Sequence, residues 1–87
     1  MKKWDGLWRI CLFDIPEKRR NARKALVRAL KNMGFYQFQK SVFVHPFECH
    51  NEIEFVIEFF SLRQHVRYIL AKHLDNELHL KQHFGLV

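Results

Sequence analysis

Side chains alternate between two faces along residues 7–14, which have the sequence LWRICLFD. One face carries Trp8, Ile10 and Leu12, and the other carries Arg9, Cys11 and Phe13. A period of two over β-branched and aromatic residues is typical of a β-strand. The pattern therefore predicts a first strand with large apolar side chains on both faces.

The period changes to that of an α-helix between Glu17 and Met33. Apolar residues recur at i, i+3, i+4, i+7, i+8 and i+11, a spacing that places them on one stripe of a helix. They are Ala22, Ala25, Leu26, Ala29, Leu30 and Met33. Gly34 follows, where a residue in the left-handed conformation commonly ends a helix. The sequence predicts a helix that is buried along this stripe.

Two short strands fit residues 35–39 and 41–45, and Pro46 ends the second. They are either joined by a tight turn around Lys40 or merged into one long bent strand. Helical spacing returns in residues 51–61. One face of this second helix carries Ile53, Val56, Ile57 and Phe60. Phe55 and Phe59 form a second stripe, so we expect this helix to be covered on more than one side.

A strand over residues 66–74 and a short helix with Asp75 or Asn76 as N-cap complete the chain. The order strand, helix, strand, strand, helix, strand predicts a single α+β domain over residues 1–87, with the ferredoxin-like βαββαβ fold and a short C-terminal helix. Both main helices would cover one face of an antiparallel sheet. Because the strands are apolar on both sides, we expect a homodimer to cover the other face.

Positive charge is concentrated on the first predicted helix. Residues 17–31 hold seven cations and one carboxylate, a net +6 that equals the formal net charge of the whole chain. The cations are Lys18, Arg19, Arg20, Arg23, Lys24, Arg28 and Lys31, and the first six are our candidate nucleic-acid ligands. They lie opposite the apolar stripe, so they face solvent. We expect them to contact phosphates, most simply those of DNA. A solubilising helix face is the alternative.

The composition indicates the cellular compartment and excludes several classes of catalytic and binding site. The two cysteines make no disulfide framework, which indicates a reducing, cytoplasmic environment. A signal peptide requires an apolar run after its N-terminal cations, and none follows the lysines here. No apolar run reaches the roughly 18 residues that span a bilayer. Three scattered glycines exclude a phosphate-binding glycine loop, and no nucleophile–base triad is present. No cofactor is required by any of these features.

Asp14 ends the first strand and precedes a cationic cluster in the segment CLFDIPEKRR. The spacing Asp14-x-x-Glu17 is that of a capping box, and Pro16 is tolerated in the first turn of a helix. On the residues themselves, the spacing favours Asp14 as the N-cap of the first helix.

The segment LFDIPEKRRNARKALVRALKNMGFYQFQKSVFV resembles the small second subunit of the CRISPR adaptation complex, a dimeric ferredoxin-like protein. The shared features are Asp14 and Ile15, Arg19 and Arg20, Gly34, and the motif Gln39, Ser41, Val42 and Phe43. The resemblance implies that Asp14 is catalytic and binds Mg²⁺ across a dimer axis, one carboxylate from each protomer, in a metal-dependent endonuclease.

Nearly the whole chain resembles the central domain of the PaaX-like transcriptional repressors, which is itself similar to that CRISPR subunit. The opening WDGLWRICLFDIPEKRR, the SVFVHP motif and the later VRYILAKHLDN carry this resemblance. It implies a homodimerisation core without catalysis, which pairs protomers so that attached DNA readers meet a palindrome. Those repressors carry a winged-helix reader before this domain. The chain is therefore either one domain of such a regulator or a stand-alone CRISPR-type subunit that bridges DNA-bound partners.

Two further patterns allow other interpretations. Phe35, Tyr36, Phe38 and Phe43 would form a base-stacking platform in an RNA-binding module, but the glycine-rich signature of that module is absent, which favours dimer packing. His79 and His83 stand four residues apart on the last helix, a spacing that can hold a metal. No third ligand accompanies them, which favours surface or interface histidines.

Overall fold

The computed structural model describes residues 3–86. The strands are β1 (Trp8–Phe13), β2 (Tyr36–Gln39), β3 (Val42–His45) and β4 (Val66–Ala71). The helices are α1 (Arg20–Asn32), α2 (His50–Phe59) and α3 (Glu77–His83), and a single 3₁₀ turn (Glu17–Arg19) leads into α1. The predicted order of elements is confirmed, and the observed β4 ends three residues earlier than predicted.

The four strands form one sheet in the order β2-β3-β1-β4, and all neighbouring strands are antiparallel. Cys11 of β1 lies between Phe43 of β3 and Tyr68 of β4. A turn at Lys40 and Ser41 joins β2 to β3, so this segment is a hairpin rather than one bent strand. The topology confirms the predicted ferredoxin-like α+β fold.

Gly34 ends α1 as the sequence predicted. Its φ of +91° is in the left-handed region. The Phe35 N–H donates to the Leu30 carbonyl at 3.0 Å and the Gly34 N–H donates to the Lys31 carbonyl at 3.0 Å. These two bonds are those of a Schellman motif. The motif turns the chain directly into β2.

The first core lies between the sheet and the pair α1 and α2. Fully buried Leu26 and Leu30 of α1 pack with Ile53 and Ile57 of α2. The sheet contributes Cys11, Phe13, Phe43 and Val66. Burial raises the pKa of the Cys11 thiol to about 12, so this cysteine is a protonated apolar group. These contacts position α1 with its cationic side outward.

A second, smaller core lies on the other face of the sheet, beneath α3. Trp8 and Val44 of the sheet pack against Leu80 of α3, and all three are fully buried. The Trp8 Nε1–H donates to Glu77 Oε1 at 2.9 Å, which fixes the start of α3 and lowers the pKa of Glu77. Part of the face that we expected a second copy to cover is therefore covered by the chain's own C-terminal helix.

Asn76 occupies the N-cap position of α3, one of the two residues predicted for it. It has φ +60°, and its side chain makes no capping hydrogen bond. The packing of Leu80 and the Trp8–Glu77 bond hold α3 in place instead.

Candidate nucleic-acid interface

Apart from Arg19, the cations of the first helical segment lie on its outer side, as predicted. Lys18, Arg20, Lys24 and Arg28 are exposed, and Arg23 is half-buried. The opposite side of the helix carries the buried Leu26 and Leu30. Packing of the apolar stripe therefore orients the charged groups.

Glu17 neutralises part of this surface. Its carboxylate lies 3.6 Å from Arg20 Nη1 and 3.4 Å from Arg23 Nη1. Both are solvent-exposed contacts, which contribute about 0–1 kcal/mol each to stability. Within residues 3–86, Lys18, Lys24, Arg28 and Lys31 make no ion pair or side-chain hydrogen bond. These four cations are free to meet phosphates.

Arg19 has a structural role that the sequence did not reveal. Its Nη2 donates to the Phe60 carbonyl at 2.6 Å and its Nη1 donates to the Ser61 carbonyl at 2.8 Å. These carbonyls follow the last turn of α2, where cations also interact favourably with the helix dipole. Arg19 thus ties the start of α1 to the end of α2, a pairing that sequence spacing cannot show because 41 residues separate Arg19 from Phe60.

The prediction that Asp14 caps α1 is wrong. Pro16 is the N-cap of the 3₁₀ turn and Arg19 that of α1, and neither helical start has a side-chain capping hydrogen bond. The chain is extended at Pro16, with ψ 153°, and Ile15 is anchored in the first core. Ile15 and the extended Pro16 therefore separate Asp14 from the first helical turn, and its side chain does not reach the N–H groups of that turn.

Asp14 is instead exposed at the end of β1. Its backbone N–H donates to the His65 carbonyl at 2.9 Å, which holds the residue in place. It lines a cleft with Glu17, Arg23 and Lys40. Within the described residues, its carboxylate has neither a hydrogen bond nor an ion pair.

One copy of the chain brings few metal ligands together in the described residues. Residues 3–86 contain no group of three or more His, Cys, Asp and Glu side chains that would hold a metal ion. At the Asp14 cleft, Arg23 and Lys40 further oppose a cation. The Mg²⁺ site that the CRISPR resemblance implies takes one carboxylate from each of two copies, so it stays a prediction about a dimer.

His79 and His83 pack α3 onto β2. The Tyr36 ring lies 5.9 Å from that of His79 and 4.7 Å from that of His83, between centroids. The Tyr36 Oη is also 3.3 Å from His79 Nε2. Both histidines therefore contact an aromatic ring, and no third metal ligand joins them in the part of the chain that the structure describes.

The four aromatic residues considered as a stacking platform do not share one face. Phe35 and Phe43 are buried in the first core, whereas Tyr36 and Phe38 pack against the second core. Alternating strand residues point to opposite faces, which separates the two pairs. The expected dimer packing is therefore wrong for Phe35 and Phe43, which belong to the core of one chain.

An ion pair between a buried arginine and an exposed aspartate near the N-terminus was also not predicted from the sequence. Arg9 is 4% exposed, and its Nη1 and Nη2 donate to Asp5 at 2.9 and 2.7 Å. Nη1 also lies 2.9 Å from the Leu7 and Pro46 carbonyls. The guanidinium hydrogen bonds lower the pKa of Asp5 to about 2. The pair ties the chain before β1 to the end of β3.

The fold and this surface define a ferredoxin-like α+β domain with an outward basic helix and a partly covered second sheet face. Residues 1–82 match the family model described as the PaaX protein central Cas2-like domain. The chain therefore belongs to this family of PaaX-type regulators. No curated protein and no solved structure matches it. Among the described residues, no helix is long and apolar enough to cross a membrane.

Proposed function

We propose that this domain is the homodimerisation core of a PaaX-like transcriptional regulator in the cytoplasm. It pairs two protomers for binding to DNA and performs no catalysis itself. The observation that carries the proposal is the apolar end of the second sheet face, which α3 leaves uncovered.

That uncovered end consists of Leu12, Phe38, Val42 and Ile69. The first three are half-buried and Ile69 is 40% exposed. The strand register places Leu12 opposite Val42, at the far end of β1 from the Trp8 that α3 covers. β4 is also an edge strand, and its outer hydrogen-bonding groups are open to another chain. An apolar face next to an open edge suits a two-fold contact with a second copy.

Sedimentation velocity tests the dimer. Ile69→Lys places a charge on the proposed interface and should shift the protein to monomer. Leu70→Lys is the matched control, because Leu70 is 56% exposed on the same strand and points to the opposite face. A wild type that stays monomeric at high micromolar concentration contradicts the proposal. So does dissociation by Leu70→Lys without dissociation by Ile69→Lys.

The basic side of α1 is the proposed DNA contact. Within residues 3–86, Lys18, Lys24 and Arg28 are exposed and unpaired, and a dimer through the second sheet face would leave this side of the domain open. Such cations contact phosphates and thereby position DNA without reading its sequence. Arg20 and Arg23 would join after exchanging Glu17 for a phosphate, whereas Arg19 is held by the carbonyls at the end of α2.

The DNA contact is tested by affinity for a duplex as a function of salt. Arg28→Glu should weaken binding and make the slope of log affinity against log salt shallower by about 0.9 per lost phosphate contact. Lys72→Glu makes the same charge change at an exposed site beyond β4 and should have a smaller effect. Equal effects of the two variants would show that only net charge matters, and that α1 is not the contact.

The Asp14 carboxylate is exposed and has no partner within residues 3–86, which supports a second candidate. This candidate is a stand-alone CRISPR-type subunit that bridges DNA-bound partners as a Mg²⁺-dependent endonuclease. Two copies would have to bring their Asp14 carboxylates together. Mg²⁺-dependent DNA cleavage that Asp14→Asn abolishes, with the fold retained by circular dichroism, would favour this candidate. Cleavage that is absent from the wild type or survives in Asp14→Asn rejects it.

A further inference from the structure

The outer side of α2 exposes two phenylalanines. Phe55 is 67% exposed and Phe59 is 68% exposed, and their ring centroids are 5.8 Å apart. They are one helical turn apart, so they form a continuous apolar strip. Ile53 and Ile57 occupy the buried side of the same helix. The strip is therefore not part of the core, and its exposed aromatic surface is available to a partner.

Carboxylates flank this strip. On a helix of 3.6 residues per turn, Phe55 and Phe59 lie between Glu52 on one side and Glu58 on the other. Glu54 and Glu58 both bind Arg63, and the Arg63 hydrogen bond lowers the pKa of Glu54. Glu52 makes no ion pair within the described residues. Three carboxylates and the one guanidinium of Arg63 give the rim of the strip a net charge of −2.

The distribution of charged residues around α2 differs from that in the rest of the chain. Residues 41–62 contain no lysine or arginine, although the chain has 15, and they contain four of its nine acidic residues. A basic α1 and an acidic α2 therefore lie side by side in one layer. Beside Phe55, the two helices enclose a shallow groove. It is lined mainly by Ala29, Met33, Asn51, Glu52, Phe55 and Val56.

We propose that the outer side of α2 is a docking surface for a cationic amphipathic helix of a protein partner. The apolar strip of that helix would cover Phe55 and Phe59, and its flanking lysines or arginines would pair with Glu52 and Glu58. This is the groove mode of helix recognition, in which apolar anchors give affinity and charges give orientation and specificity.

Other occupants fit the surface less well. Nucleic acid and anionic lipid are repelled by the carboxylate rim. A second copy offers no matching helix within residues 3–86, because the apolar stripe of α1 is buried in the first core and α3 exposes a single large apolar residue, Leu78. A partner with both cations and an apolar strip satisfies the two features of the surface together.

Fluorescence anisotropy with a labelled synthetic peptide tests the proposal. The probe is an amphipathic helix with leucine on one side and lysine on its flanks, and the comparison peptide carries glutamate in place of every lysine. We expect the lysine peptide to bind, and the double variant Phe55→Ser, Phe59→Ser to weaken binding at least about tenfold. Glu52→Gln with Glu58→Gln should also weaken it, with a shallower salt dependence.

Control variants test whether the loss of peptide binding is specific to the outer side of α2. Leu70→Ser with Leu78→Ser also removes two exposed apolar residues, which lie elsewhere on the surface, and should leave binding within about twofold of wild type. All these side chains are largely exposed, so circular dichroism should show unchanged folds. Equal binding of the glutamate peptide, or unchanged binding in the phenylalanine variant, overturns the proposal. Loss of self-association in the phenylalanine variant would identify a second copy as the occupant and would overturn it too.

Discussion

Arg9 and Arg19 both bind backbone carbonyls with their guanidinium groups. Arg9 reaches the Pro46 carbonyl across 37 residues, and Arg19 reaches the Phe60 carbonyl across 41. A planar guanidinium presents several donors in fixed directions, so one side chain can satisfy groups from two segments. At the scale of single residues, arginine in this domain thus links distant segments by hydrogen bonds, in addition to supplying surface charge.

Arg19→Ala should lower the free energy of unfolding by about 1–2 kcal/mol, because charged hydrogen bonds to two carbonyls are lost at a partly exposed site. Lys18→Ala removes a neighbouring exposed cation without such bonds and should stay within about 0.5 kcal/mol of wild type. Urea denaturation measures both. A similar cost for the two variants would mean that the Arg19 contacts contribute nothing to stability.

The Asp5–Arg9 pair should make stability depend on acidic pH. The folded state lowers the pKa of Asp5 from 3.8 to about 2. The unfolded state therefore binds the proton first, and the stabilisation is complete above pH 3.8 and is lost as the pH falls towards 2. Asp5→Asn should show a shallower loss of stability over this range by denaturant titration. An unchanged slope would show that other carboxylates cause the acid sensitivity.

At the scale of elements, the ends of α1 are fixed by different means. Its C-terminal end is encoded locally, by a glycine in the left-handed conformation and two backbone hydrogen bonds. Its N-terminal end has no side-chain cap and is held by Ile15 in the core and by Arg19 on α2. One boundary of the helix therefore depends on local backbone contacts, and the other depends on tertiary contacts.

Gly34→Ala should cost about 1–2 kcal/mol of stability, because an L-residue with a side chain is strained at φ +91°. A Cβ there would also lie 3.4 Å from His45 Nε2, a tight but tolerable contact. Gly34→Asn should cost less, since asparagine adopts the left-handed conformation more readily. Thermal denaturation ranks the variants. Equal costs would show that crowding by His45, rather than backbone strain, dominates.

At the scale of the whole molecule, one sheet separates two cores. The first is closed by α1 and α2, and the second is partly closed by α3. This arrangement leaves the domain with distinct surfaces: the basic side of α1, the acidic aromatic side of α2 and the apolar end of the second sheet face. Each suits a different class of partner, which is consistent with a domain that brings other components together.

Leu80→Ala tests how far α3 belongs to the domain. Leu80 is fully buried against Trp8 and Val44, so its truncation should cost about 2–4 kcal/mol and expose the second core. Leu78→Ala, on the exposed side of α3, should cost less than about 0.5 kcal/mol. Chemical denaturation compares them. A negligible cost of Leu80→Ala would mean that α3 is a dispensable tail.

Local pattern was sufficient for most of the fold. Alternation in β1, the apolar stripe of α1 and Gly34 at its end depend on neighbours within a few residues, so they are legible in the sequence. The βαββαβ order then leaves few topologies open. The hairpin at Lys40 was undecided, because both a tight turn and a bend satisfy the same alternation, and only pairing of β2 with β3 distinguishes them.

The candidate site was predicted in part. The outward placement of Lys24 and Arg28 follows from helix periodicity and was predictable. The role of Arg19 and the failure of Asp14 as a cap were not, because both depend on where Ile15 and α2 lie in space. The Asp14-x-x-Glu17 spacing is a capping signal only if Asp14 directly precedes the helical turn, and burial of Ile15 prevents this.

By itself, the sequence determined the order of elements, the basic side of α1 and the absence of lysine and arginine from residues 41–62, because periodicity and charge are properties of the chain. Only the tertiary structure decided which apolar residues have partners. It buried Phe43 in the first core, placed α3 over Trp8 and left Phe55 and Phe59 exposed. Burial depends on contacts between segments distant in the chain, which is why the exposed apolar surfaces proposed here as binding sites could not be located from the sequence.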